Sequence, residues 1–197
     1  MSEETRRRLL SAGRRAFAAR GFAEASAEEI SDKAGLTRGA LHYQFGDKRG
    51  LFEAVVRALV AEVAEHVAKE TMTGGTEPED ELESGCDSLL ASYGTPEVRS
   101  ILLRDAPVVL GLATWQRLQE EAGQTAFLRH ALEHWVEVGW IAAARVEPLA
   151  RLLLGALMQA ALAIGEAGDR DAELDRYRSE IRALLQAIRG TPQKHVR

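Results

Sequence analysis

The chain has 197 residues, enough for one or two compact domains with a sizeable core. Apolar residues make up 46% and charged residues 28%, a balance that excludes wholesale disorder. The net charge of −5 hides an asymmetry: residues 1–50 carry ten Lys or Arg against seven acids, residues 51–197 fifteen against twenty-three, so a basic head precedes an acidic body and only the head suits a polyanion.

The amino terminus, MSEETRRRLLSAG, shows no apolar signal core. The longest apolar run, Leu152 to Gly165, is interrupted by Gln159 and is shorter than the roughly 20 residues that span a bilayer. A cytoplasmic protein with no membrane association is expected. The single Cys86 cannot form an internal disulfide; it reads as a small buried or half-buried residue in a reducing compartment rather than a nucleophile.

Helical periodicity dominates and no sustained period-two alternation occurs, so the expected fold is all-α. Residues 4–20 place Leu9, Ala12 or Gly13, Ala16 and Phe17 on one face, and Gly21 ends that helix. Ser26 is expected to cap a second helix, with Glu29 closing a capping box, and Gly35 to supply its left-handed terminator. Thr37 caps a short third helix in which Leu41 and Phe45 share the buried face. Two short helices joined by a tight glycine turn form the pattern of a helix-turn-helix. Asp47 starts a longer helix to about Lys69, with Leu51, Phe52, Val55, Val56, Leu59, Val63 and Val67 as its apolar positions, and residues 71–80 read as a loop. Helices are then expected at 79–93, 96–105, 107–121, 124–143, 147–167 and 172–189, split at Gly94, Pro107, Gly123, Pro148 and Gly168. The helix over 147–167 is apolar almost all round and must be covered on every side.

With Leu41 and Phe45 turned inward, Gly39, Ala40, His42 and Tyr43 cover the opposite arc of the third helix. Thr37 and Arg38 stand at its free amino end. Arg38 matches the two acceptors of guanine in a major groove, and the small Gly39 and Ala40 permit close approach. Tyr43 can donate to a phosphate, and Lys48 adds a charge at the next helix start. The alternative is a solvated charged face on a three-helix bundle.

The stretch SAEEISDKAGLTRGALHYQFGDKRGLFEAVV resembles the amino-terminal domain of the TetR family of bacterial transcriptional regulators, of TetR/AcrR type. The resemblance rests on the capped helix, the A-G turn, the LTRGALHYQF recognition helix and the DKRGLF opening of the fourth helix, and covers about residues 5–60. It implies a helix-turn-helix DNA-binding domain at 1–47, followed by a larger helical regulatory, ligand-binding and dimerisation domain at 48–197. It gives Arg38, Gly39 and Ala40 base-edge roles, has His42, Tyr43 and Lys48 bind the backbone, and makes Thr37 and Ser26 helix-end phosphate contacts. His42 departs from the tyrosine usual in the family.

One short helix reads few base pairs, so a homodimer on a palindromic operator in double-stranded DNA is expected, paired through the helices near 147–167 and 172–189 as a four-helix bundle. Trp115, Phe127, Trp135 and Met158 could line an apolar cavity for a small-molecule effector or could be ordinary core, with Gln159 as a buried amide seeking a partner and Asp105 and His134 as further polar groups. The family resemblance further implies repression relieved by ligand, through a shift of the fourth helix.

The rival readings centre on HALEH, residues 130–134. His130 and His134 share a helical face, which suggests a metal-responsive regulator or, with Glu133 as base, a zinc peptidase; no third ligand is apparent in the sequence. An all-helical interaction protein is another alternative. No phosphate-binding glycine loop, nucleophile elbow or cysteine pair occurs, and neither enzyme activity nor a cofactor or resident metal is expected.

Overall fold

The computed structural model describes residues 3–72 and 77–190, save the side chains of Met72 and Glu79. All regular structure among these residues is helical: α1 (Glu3–Glu24), α2 (Ala27–Lys33), α3 (Arg38–Phe45), α4 (Lys48–Met72), α5 (Pro78–Gly94), α6 (Pro96–Val98), a π-helical stretch (Arg99–Asp105), α7 (Ala106–Leu110), α8 (Leu112–Glu121), α9 (Gln124–Glu137), a 3-10 turn (Ala143–Arg145), α10 (Val146–Glu166) and α11 (Arg170–Ile188). Residues 73–76 of the expected loop lie outside the described residues.

The chain divides into two compact units, residues 1–62 with 95–122 and residues 63–94 with 123–197. This division does not coincide with the expected boundary at 47/48. The fourth helix packs its first half into the amino-terminal core, and a later segment folds back to complete that core.

In the first unit Leu9, Ala12, Ala16 and Phe17 of α1 meet Ile30 of α2, Leu41 of α3 and Leu51, Phe52, Val55 and Val56 of α4, all buried. Gly13 lets α4 approach closely, since a Cβ there would stand 3.0 Å from Leu51 Cδ2. Phe17, Phe22 and Phe52 form an aromatic cluster with centroids 5.0–5.9 Å apart, and each such pair adds about 0.5–1.5 kcal/mol beyond area burial.

At Gly21 (φ 77°) α1 breaks as expected. The Phe22 N–H, deprived of its helical acceptor, donates to Asp105 Oδ2 at 2.7 Å. Asp105 ends the π-helical stretch, which buries Ile101, Leu102 and Leu103 and closes on the Ala106 N–H to Ile101 carbonyl bond.

Two helices are shorter than their periodicity predicts. The expected 107–121 helix is interrupted by Gly111, at φ 83° and ψ 149°. The expected 124–143 helix stops at Glu137, with Val138 at its end and Gly139 at φ 77°. In both cases apolar residues continue past the break: Leu112 and Val138 beside it are exposed, while Leu118 and Ile141 further on are buried.

The second unit buries Val63 and Val67, then Leu82, Cys86, Leu89, Leu90 and Tyr93 of α5, Leu128, Leu132 and Trp135 of α9, and ten residues of α10. Deep in this core Tyr93 donates its hydroxyl to Gln124 Oε1 at 2.7 Å. Cys86 is fully buried, and burial first, with Asp87 and Glu83 adding to it, pushes its thiol pKa up to about 12, which fits an inert core residue.

Together with the preceding 3-10 turn, α10 is long and apolar enough to cross a bilayer, longer than the uninterrupted run in the sequence. Its apolar surface is not covered on every side, however. Leu152, Gly155, Ala156 and Gln159 form an exposed stripe, with Leu152 69% exposed.

Candidate nucleic-acid interface

The turn between α2 and α3 is built from local hydrogen bonds. Gly35 at φ 63° lets its own N–H reach the Asp32 carbonyl and the Leu36 N–H reach that of Ser31, each at 2.9 Å. Thr37 then caps α3, its Oγ1 accepting from the Ala40 N–H at 3.2 Å. The expected capping box on α2 does not form. Ser26 holds the extended cap conformation without a side-chain bond, and Glu29 turns instead to Arg20 and Lys33, whose hydrogen bonds hold its carboxyl below the usual range. The exposed Ser26 hydroxyl is therefore not spent on its own helix.

Leu41 is 2% exposed and anchors α3, while Phe45 is half-buried beneath the Arg6 guanidinium, 4.8 Å from the ring centroid. The outward arc carries Arg38, Gly39, His42 and Tyr43, with Tyr43 73% exposed. Among the described residues the Arg38 side chain has no partner. Arg38 and His42 also line a shallow concavity with Ala27, Gly46 and Asp47.

Ala40 departs from its expected place on that arc: it is 8% exposed, because Leu41 and Ala40 together face the core. The expected place of Ala40 on the outward arc is thus corrected: it packs against the core.

Lys48 departs too. Its Nζ donates to the carbonyls of Phe22 (2.9 Å), Ala25 (2.9 Å) and Ala23 (3.4 Å), and lies 4.3 Å from the Phe22 ring centroid. An ammonium has three N–H groups and all are committed, so Lys48 closes the carboxyl end of α1 instead of standing free for a phosphate. His42 directs Nδ1 at the Gly46 carbonyl. A carbonyl only accepts, so Nδ1 carries the proton, and the outer Nε2 donates to a phosphate only in the doubly protonated ring.

Asp47 opens α4 by accepting the Gly50 N–H at 2.7 Å. At Gly50 a Cβ would lie 2.0 Å from the Phe45 carbonyl oxygen, so this glycine sets how closely α3 can be succeeded by α4. Nothing in the local sequence pattern marks Gly50 beyond its place in the DKRGLF match.

The expected effector-pocket residues are dispersed. Asp105 and Trp115 belong to the first unit, where Asp105 accepts from Phe22. Phe127, His134, Trp135, Met158 and Gln159 belong to the second. There Trp135 is 1% exposed and donates its indole N–H to the Pro78 carbonyl at 2.9 Å, and Met158 is 8% exposed, both as core. Phe127 covers Gly85, where a Cβ would meet its ring at 1.8 Å. Gln159 is exposed, which corrects its reading as a buried amide: the apolar residues around it lie on an uncovered face. His134 meets Glu81, a carboxylate that the local sequence does not place beside the histidine pair.

Residues 9–55 match the bacterial regulatory proteins of the tetR family, and residues 80–188 match the tetracyclin repressor-like C-terminal domain. The chain belongs to the TetR family. Among curated relatives, the probable HTH-type transcriptional regulator ArpR of Pseudomonas putida is 37% identical over 86 residues, 43% of this chain and 38% of that protein. The HTH-type transcriptional repressor AcnR of Corynebacterium glutamicum is 37% identical over 65 residues, 33% of this chain and 35% of that one. The matched stretch thus spans little more than a third of these relatives' own length.

Among solved structures, a TetR-family transcriptional regulator from Pectobacterium atrosepticum superposes with a TM-score of 0.79 at 33% identity, covering 97% of each chain. The fatty acid degradation regulator FadR of Bacillus halodurans shares the fold, with a TM-score of 0.76 at 13% identity over 94% of this chain and 96% of its own. TetR-family membership accounts for the capped recognition helix and for the larger helical body behind it.

Proposed function

We propose that this TetR-family chain is a sequence-specific, DNA-binding transcriptional regulator that acts as a homodimeric repressor and is released from its operator by a small molecule. The observation that carries this reading is α3. It is capped by Thr37, anchored by Leu41, and displays Arg38, Gly39, His42 and Tyr43 outward beside its own free amino end. Arg38 reads guanine O6 and N7, Gly39 permits close approach, and Tyr43 donates to a phosphate. The Thr37 and Ser26 hydroxyls stand at helix starts that favour phosphates.

Dimerisation is supported by the exposed stripe Leu152, Gly155, Ala156 and Gln159 of α10 together with Leu184 of α11, 43% exposed. Paired about a twofold axis, these faces make a four-helix bundle and place two recognition helices on one palindrome. Effector binding falls to the second unit, where a ligand preferring one arrangement of the body would shift the population away from the DNA-competent dimer.

Selection of bound sequences from a random duplex pool tests the reading. A recovered palindrome is the expected result, and Arg38→Ala should relax choice at one base step in each half-site by about 1–3 kcal/mol. Recovery of unrelated sequences, or of the same consensus with the Arg38 variant, would overturn it.

A further inference from the structure

We infer that the second unit holds a binding site for one divalent transition cation of the zinc class, formed by Glu81 of α5 and by His130 and His134 of α9. The two histidines stand one turn apart on one face, with ring centroids 4.4 Å apart. Glu81 comes from a different helix and offers one oxygen to each ring. Oε2 lies 2.6 Å from His134 Nδ1 and Oε1 lies 4.0 Å from His130 Nε2. One ligand atom from each residue falls within 4.8 Å of the others.

Bonds of about 2.0–2.2 Å from a tetrahedral ion to nitrogen and oxygen donors need donor atoms under about 4 Å apart. His130, whose side chain is 62% exposed, can turn to meet that requirement without disturbing the core. Two imidazoles and one carboxylate form a ligand set suited to zinc, with borderline nitrogen donors and a single negative charge. Three protein ligands leave a fourth position for water or an exogenous donor, and the exposure of His130 puts that position within reach of solvent.

The site is also held in place. Glu81 is 17% exposed, and Trp135, next to His134 in α9, ties α9 to the first turn of α5 through the Pro78 carbonyl. The ion would therefore bridge two helices already fixed to each other, with little ordering cost. A simple His134–Glu81 proton bridge would explain two of the three residues and leave His130 beside them without a role. Glu133, the would-be base of a peptidase reading, is exposed on the surface and is not needed here.

The inference concerns the free protein and does not depend on the DNA-binding reading, so the two can fail separately. The full chain, stripped with a chelator, is titrated with zinc chloride by calorimetry and with cobalt(II) by visible absorption. The expected result is one ion per chain at micromolar affinity or tighter, with the intense visible bands of four-coordinate cobalt. Glu81→Gln and His130→Ala should each weaken zinc binding by about tenfold or more. His130 is exposed, so its variant should retain the native circular dichroism, which keeps the comparison interpretable. Absence of binding at submillimolar zinc, or unchanged affinity in a folded His130→Ala chain, would overturn the site.

Discussion

Lys48 and Arg14 show how much of the basic head is spent internally. Lys48 turns all three N–H groups onto carbonyls at the end of α1, so Lys48→Ala should lower stability by about 1–3 kcal/mol in chemical denaturation. It should leave the salt slope of DNA affinity unchanged, because no phosphate contact is lost; a shallower slope would restore the phosphate role. Arg14 binds Glu97 in bidentate fashion at 2.8 Å for both contacts and Glu62 at 2.7–2.8 Å. The Arg14 hydrogen bonds hold the Glu97 carboxyl below the usual glutamate range. A depressed carboxylate pKa contributes stability above its unfolded value and loses it as pH falls through the folded value. The first unit should therefore weaken in acid below about pH 4, and Arg14→Met should flatten that dependence while costing about 1–2 kcal/mol at neutral pH after solvent screening. Thermal melts across pH of the two proteins check both. None of these pairings is legible in the sequence, since Arg14 and Glu97 lie 83 positions apart and nothing local distinguishes a paired arginine from a free one.

Among the elements, α1 to α4 are legible because local chemistry dictates them: Gly21 and Gly35 take positive φ, Thr37 caps, and Leu41 is buried. Ser26 and Glu29 have the spacing of a capping box, yet Glu29 lies within reach of Arg20 and Lys33, and two cations outcompete one backbone N–H. The inward turn of Ala40 escapes the sequence for a similar reason. On a helix of only eight residues a one-residue error in the assumed axis moves a side chain across the boundary of the buried face. Gly50 belongs at this scale as well. Gly50→Ala would drive a Cβ into the Phe45 carbonyl, and since backbone must then move, a loss of about 1–3 kcal/mol and weakened operator binding are expected. Denaturant unfolding together with a gel-shift titration would show it, and a neutral substitution would mean that the α3–α4 turn has slack.

For the whole molecule, the sequence makes the all-helical class and the acidic body plain, while the assignment of residues 95–122 to the first compact unit depends on long-range packing that no periodicity encodes. The same holds for the effector-pocket set, chosen by residue type and divided by the fold between two units. The uncovered α10 stripe carries the prediction at this scale: Leu152→Glu should convert the proposed dimer to monomer in sedimentation velocity and abolish binding to a palindrome, with the helical circular dichroism retained. A dimer that survives would move the interface elsewhere. The π-helical stretch has a consequence of a different kind. Its wide turns accommodate one residue more than ordinary winding would, and Asp105 reaches the Phe22 N–H from its end. Deleting one of residues 99–104 would let the coil tighten to ordinary winding, which takes up the loss and keeps the two ends near their present register; the segment should thus tolerate a one-residue shortening that an ordinary helix would pass on as a rotation of about 100°, and the shortened chain is expected to keep its latch.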